Sequence, residues 1–220
     1  MNFSFLEKYW PVYLTGLKTT LLLSVIVVFL GTILGILLVI IRRSRIKPIK
    51  WLGNGYVGFI RGTPLLAQIY LVYIGIPIIL YGFDIPDMTA AALALSLNAS
   101  AYISETIRSG IEAVNIGQTE AARSLGMSAG MTLKDIILPQ AFKNILPALG
   151  NQFIGITRDT SMVSVIGVAE IMYKTTIVRG NTALGLEPVI IASLMYLAIT
   201  LILTRILGYF ERRLKQSDRR

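Results

Sequence analysis

Two ionisable residues, Arg158 and Asp159, stand side by side in a stretch that is otherwise apolar enough to lie in a membrane. A charge there costs about 2.5–3.5 kcal/mol on an insertion scale, so such residues are kept for packing or for function. Gln152 lies seven residues before Asp159, hence on the same helix face, with Gly155 between them leaving room for a ligand. Two readings are open. Arg158 and Asp159 pair with each other and fix helix packing, or Asp159 receives the α-ammonium of a small zwitterion. Gln152 is neutral, which suits a neutral polar side chain better than a cationic one. Asn98, Ser100 and Tyr102 are polar residues in a second apolar stretch. Asn98 is a candidate for the same path, and Ser100 reads as an interhelical hydrogen bond.

The chemistry that is excluded is as informative. The 220 residues contain no histidine and no cysteine. A Cys/His metal site, a disulfide framework and the usual neutral-pH general base are therefore impossible. With no paired carboxylates in an apolar stretch either, a membrane-embedded enzyme is disfavoured. No G-x-x-x-x-G-K-[ST] pattern occurs, so any nucleotide hydrolysis must come from another chain.

Composition places these residues in a membrane. The chain is 54% hydrophobic with mean hydropathy +0.67 and only 15% charged. Five stretches are long enough to cross: Thr19–Ile41, Gly58–Leu80, Met88–Ile107, Ile145–Ile166 and Pro188–Tyr209. The first carries Gly31 and Gly35, a helix-packing spacing. Thr19–Ile41 is too long for a cleaved signal and is expected to stay. Met1–Gly16 is expected to be an amphipathic surface helix or disordered. The net charge of +9 is not a nucleic-acid signature, because it is gathered beside the apolar stretches. Arg42, Arg43, Arg45, Lys47 and Lys50 fill one loop without an acid, and Arg212, Arg213, Lys215, Arg219 and Arg220 fill the tail. The loop Tyr81–Asp87 has only acids. The excess of basic residues on one side predicts a cytoplasmic C-terminus and, with five crossings, an external N-terminus. Glu105 and Arg108, three apart near a cytoplasmic helix end, are expected to pair or to snorkel.

Between the third and fourth stretches lies a cytoplasmic segment, Ser109–Asn144, too long to be idle. It reads as helix–turn–helix: Gln118–Leu125, a stop at Gly126, then a helix capped by Thr132 and ending near Pro139. Leu125, Met127 and Met131 are apolar residues in this watery loop, as an adaptable interface would need. Glu120, expected near a helix start, favours the positive dipole end there. Glu120, Ala121, Ala122, Gly126, Ile136, Leu138 and Pro139 fit E-A-A-x3-G-x9-I-x-L-P at every fixed position. This resembles the coupling loop of permease subunits of bacterial ABC importers. Ile60–Leu66, Asn98–Glu105, Gly150–Ile154 and Arg158–Ser161 further resemble polar amino acid permeases, most closely the glutamine type. Arg158 departs from the lysine expected there, and Met162 from leucine.

The resemblance, which runs from about Gly16 to Arg213, implies much that spacing does not. It implies a single all-α domain over residues 1–220 with the type I importer permease fold, and a coupling loop over about 117–140 that docks into a groove of an ATPase subunit. It implies a second permease copy or paralogue, an extracytoplasmic substrate-binding protein, and ATP and Mg bound by the partner ATPase, with no cofactor or metal in this chain. The bacterial inner membrane is the implied location. Glutamine is the favoured cargo, with cationic or acidic amino acids as alternatives. An ATP-independent channel or scaffold subunit is the rival of another class. The substrate-path candidates are Asn98, Gln152, Gly155, Arg158, Asp159, Thr160 and Ser161.

Overall fold

The computed structural model describes residues 2–82 and 84–216, and every regular element among them is helical. Of the basic tail, Arg219 and Arg220 lie outside the described residues.

The first helix, α1, runs unbroken over Phe5–Arg42. The expected surface helix or disorder at Met1–Gly16 is thus corrected. Tyr13 is fully buried and donates its hydroxyl to the Pro188 carbonyl at 3.1 Å, so the first turns are pinned to the fold rather than laid on a bilayer. One edge of α1 is built from small or slim residues: Gly16, Thr20, Ser24, Val27, Gly31 and Gly35 are all buried. A Cβ at Gly31 would lie 2.9 Å from that of Ala99, and one at Gly35 2.7 Å from Ile103 Cγ2. The glycines therefore set how closely α1 approaches the helix that carries Ala99 and Ile103, as their spacing implied. The rest of α1 presents exposed Leu22, Val25, Phe29, Ile36 and Ile40, which is sensible only against lipid.

The second expected stretch is not one helix. Helix α2 covers Lys47–Gly62, and α3 covers Leu65–Ile79 at a bend of 114°. Pro64 drives Thr63 into extended geometry, φ −120°, ψ 151°, and a helix cannot pass through that residue. Helix α4, Asp87–Glu112, is 26 residues and hence about 39 Å long. It is rich in Ala and Ser because it is enclosed by α1, α2, α3 and α6, and close packing replaces hydropathy there.

The segment between the third and fourth stretches folds as a short helix α5, Ile116–Ser124, followed by the long α6, Ala129–Ile166. Helix α6 has a π turn at Thr132–Ile137 and closes in a 3-10 turn at Thr160–Ile166. Ser128, not Thr132, caps it, accepting from the Met131 N–H at 3.2 Å. Pro139 does not end a helix: it sits just after the π turn, whose altered hydrogen-bond register accommodates its missing N–H. Gly167, φ +93°, then turns the chain into α7, Ile171–Thr182, at 49° to α6. Glu170 caps α7. Fully buried, its carboxylate accepts from the N–H groups of Met172 and Tyr173 and from the Tyr196 hydroxyl at 2.6 Å. Helix α8, Glu187–Gln216, completes the chain.

Among the described residues, α1 and α8 are long and apolar enough to cross a membrane unbroken, and the α2–α3 and α6–α7 pairs are so as bent units. With α4 these account for the five expected stretches. A small apolar cluster of Leu38, Val57, Ile60 and Ala101 packs α2 on α1 and α4, and two larger apolar cores hold the rest. One joins α1, α3, α4 and α6 through Leu23, Val27, Ile69, Ile103, Ile156 and Val163. The other joins α1, α7 and α8 through Tyr13, Ile171, Val178 and Met195.

Candidate functional site: a polar groove and a docking hairpin

The break between α2 and α3 is held by one side chain. Gln68, buried, donates Nε2 to the carbonyls of Ile60 (2.8 Å) and Thr63 (3.1 Å), and to Thr63 Oγ1 (2.9 Å). Its Oε1 accepts from Asn98 Nδ2 at 2.8 Å. Asn98 is therefore first a tie between α4 and the broken pair. Its own Oδ1 makes no hydrogen bond among the described residues. Ser100 bonds to the Leu97 carbonyl and to the Tyr56 hydroxyl, the interhelical link expected of it.

Beyond Asn98 opens a groove of about 350 Å³, lined by Thr63, Leu65, Asn98, Tyr102, Gln152, Asp159 and Met162. The structure thus brings together three residues singled out from sequence, Asn98, Gln152 and Asp159. It does not bring the others. Gly155 lies between Gln152 and Asp159 on the helix but is not part of the wall, although the space above it is open. Thr160 is fully buried and donates back to the Thr157 carbonyl, and Ser161 faces elsewhere in the 3-10 turn. Arg158 is exposed and also lies outside the wall. Arg158 and Asp159 make no ion pair within 4 Å, because adjacent helix residues point about 100° apart. Of the two open readings, a direct Arg158–Asp159 ion pair is thus not formed.

Tyr102 and Gln152 also belong to a second hollow of about 630 Å³, which continues along α4 and α6 past Arg61, Glu105, Arg108 and Asn144. Here the acid is fully engaged. Glu105 meets Arg42 at 2.6 Å, Arg108 at 2.8 Å and Arg61 at 3.5 Å. Arg108 also reaches Glu112 at 2.6 Å. The Glu105–Arg108 pair was legible from spacing. Arg42 and Arg61 come from other helices and were not. Arg61 lies over the Tyr102 ring at 5.8 Å from its centroid. No group of three or more acidic side chains among the described residues could hold a metal ion.

The second candidate is the α5–α6 hairpin. Glu120 stands mid-helix rather than at the start of α5, exposed and without a partner among the described residues. Ala121, Gly126, Leu138 and Pro139 are exposed, Ile136 is half-buried, and Ala122 is buried inside the hairpin. Ala122 thus spaces the hairpin itself, where a partner contact was expected. Gly126 takes φ +82°, and the N–H of Met127 reaches the Ala122 carbonyl at 3.1 Å, closing α5 with a left-handed turn. Leu125 is 85% exposed, and Ile116, Met131 and Phe142 are exposed near it. Ile116 and Phe142 were missed in the sequence; both are apolar residues at helix positions that only the hairpin turns outward. Apolar side chains on a surface that faces water mark a docking site.

A helical membrane domain with a polar groove and an apolar-tipped hairpin matches one family along residues 27–216, the binding-protein-dependent transport system inner membrane component. The chain belongs to this family. It is 44% identical over 218 residues to the arginine transport system permease protein ArtQ of Bacillus subtilis (strain 168), covering 99% of both chains. It is 38% identical to the probable glutamine ABC transporter permease protein GlnM of the same organism, covering 99% of this chain and all of that one. A solved chain from an amino acid ABC transporter crystallised with histidines superposes with TM-score 0.92 at 45% identity, over 97% of this chain and 100% of that one. The permease has the type I ABC importer fold, and its place is the inner membrane.

Proposed function

We propose that this permease carries a polar amino acid, glutamine in preference, through the groove between α4 and α6, driven by ATP hydrolysed on a partner subunit. The observation that carries the reading is Asp159. Among the described residues it is the only carboxylate in the wall of the inner groove and has no ion-pair partner. A zwitterion entering this groove meets one anion for its α-ammonium, then only neutral polar groups: Thr63, Asn98, Tyr102 and Gln152. Those groups can both donate to and accept from a carboxamide. A guanidinium would find no second acid until Glu105, which three arginines already occupy. A cationic cargo is the second reading, favoured by the 44% identical relative named for arginine transport.

The hairpin is the point of drive. Leu125, Leu138 and Pro139 would seat in an ATPase subunit, with Glu120 meeting a basic residue there. Because α6 runs without interruption from the hairpin to the groove, a push at Ala129 is carried to Gln152 and Asp159 along one rod. A second permease copy or paralogue would close the open side of the groove, and an external binding protein would deliver the amino acid. The excess of basic residues favours a cytoplasmic hairpin and C-terminus and an external N-terminus.

The test of the cargo is uptake of labelled glutamine by the reconstituted transporter, with glutamine, arginine and glutamate as competitors. Glutamine should compete best, and arginine outcompeting it would transfer the assignment to the cationic class. The test of orientation uses the natural lack of cysteine: a thiol placed at Leu184 should react with an impermeant reagent from outside, and one at Ser128 should not. The reverse pattern would invert the permease.

A further inference from the structure

At the basic end of α1 some cations are engaged and others are not. Arg42 is held by Glu105, Asn54 and Ser104, and Arg108 by Glu105 and Glu112. Arg43 and Lys50 are exposed and make no ion pair or side-chain hydrogen bond among the described residues. All four, with Asn54, line one cleft of about 210 Å³ between α1, α2 and α4. The only acid in its wall, Glu112, is taken by Arg108. The cleft therefore has positive charge that the protein does not neutralise.

Its position matters as much as its charge. Arg42 is the last residue of α1 and Glu112 the last of α4. The cleft thus opens where two crossing helices end, at the boundary between hydrocarbon and water. Next to Lys50 in α2, Trp51 is 74% exposed, and tryptophan is enriched at that boundary. Lys50, Asn54, Gly58 and Gly62 follow one another at intervals of four, so they form one ridge of α2. Gly58 and Gly62 are exposed, and a Cβ at either would meet nothing within 4 Å. A ridge that starts in unneutralised cations thus continues as a smooth track that nothing in the chain fills.

We infer that this cleft binds the headgroup of an anionic glycerophospholipid, with the phosphate on Arg43 and Lys50 and an acyl chain along the Gly58–Gly62 track. A phosphodiester supplies one of the two negative charges the cleft lacks and accepts from both cations. A choline headgroup would bring an additional cation into a cationic cleft and is disfavoured. Basic recesses between spanning helices on the cytoplasmic side take anionic headgroups for this reason. Inorganic phosphate shares the headgroup chemistry but lacks the chain. This site is independent of the cargo assigned to the groove.

The test uses the full-length permease purified with its ATPase. Retained lipid is counted by native mass spectrometry after exposure to vesicles of phosphatidylcholine with and without phosphatidylglycerol. Phosphatidylglycerol should be retained selectively. Arg43→Gln with Lys50→Gln should weaken its retention roughly thirty-fold, from about one surface charge's worth per residue removed. The same pair of changes at Arg212 and Arg213, also exposed and basic, should weaken it no more than a few-fold. Both changed pairs are on the surface, and the melting temperature of each complex checks that the fold is kept. Equal losses from the two pairs, or equal retention of phosphatidylcholine, would overturn the site. Displacement of the lipid by millimolar inorganic phosphate would show a plain anion site and overturn the lipid assignment.

Discussion

Glu105 and Asp159 are carboxylates on facing helices, in two polar hollows that share Tyr102 and Gln152, and the chain treats them oppositely. Glu105 is surrounded by Arg42, Arg61 and Arg108, with its side chain and that of Arg42 each only 16% exposed. Asp159 has a neighbour of opposite charge in sequence and, among the described residues, none within 4 Å in space. An acid saturated by cations from three helices latches those helices together. An acid left open in a groove has its charge available for something that arrives. The difference lies not in residue type but in which helices cross beside each one.

The contrast is most sharply broken at Glu105. Replacing it by Gln leaves Arg42 without a counter-ion between α1, α2 and α4. About 3 kcal/mol should be lost, the low end for broken buried pairs because Arg108 keeps Glu112. The measurement is thermal unfolding of the purified permease, and an unchanged midpoint would remove the latch. At Asp159 the same kind of change should behave in the opposite way. Asp159→Asn should leave the midpoint within a degree or two while uptake falls by roughly ten- to a hundred-fold, the worth of one hydrogen bond to a charged group. Uptake and melting measured on one preparation separate the two outcomes, and a folding defect with normal uptake per folded molecule would reverse the roles.

Gln68 sharpens the comparison, because it positions the groove without offering charge. Gln68→Leu frees the Ile60 and Thr63 carbonyls and strands Asn98, so it should cost about 1–3 kcal/mol and lower uptake together. Loss of uptake alone would make Gln68 a cargo contact instead. Gly126→Ala is smaller still. Open space surrounds the position, so only the left-handed backbone, φ +82°, resists the methyl group, at about 1 kcal/mol. Binding of the ATPase, followed by co-purification, should weaken several-fold with the membrane domain unaffected. Wild-type association would mean the turn is not part of the docking surface.

How much of this could be read in advance follows from which interactions are local. The hairpin was legible because its signals lie within 20 residues: Glu120 to Pro139, a glycine stop and apolar residues in a polar segment. Its inner details were not, since the π turn that carries Pro139 along α6 has no sequence signature. The break at Thr63–Pro64 could be suspected from Pro64, but its 114° angle depends on Gln68 reaching across to Asn98, thirty residues away. Helix α1 was cut short at its start because Met1–Gly16 lacks continuous hydropathy. What extends it is the burial of Tyr13 against α7 and α8, a contact with residues more than 150 positions on. For Arg158 and Asp159 the sequence left two readings open, because adjacency in sequence is divergence on a helix.

That divergence also gives the most direct measurement. The double change Arg158→Met with Asp159→Leu removes both charges and leaves side chains of comparable bulk. If Asp159 receives the cargo's ammonium, the double variant should fold and bind its ATPase normally while uptake in proteoliposomes stays as low as in Asp159→Asn alone. Uptake restored to the wild-type rate would show that the two charges only balance each other, and Asp159 would no longer be a residue of the transport path.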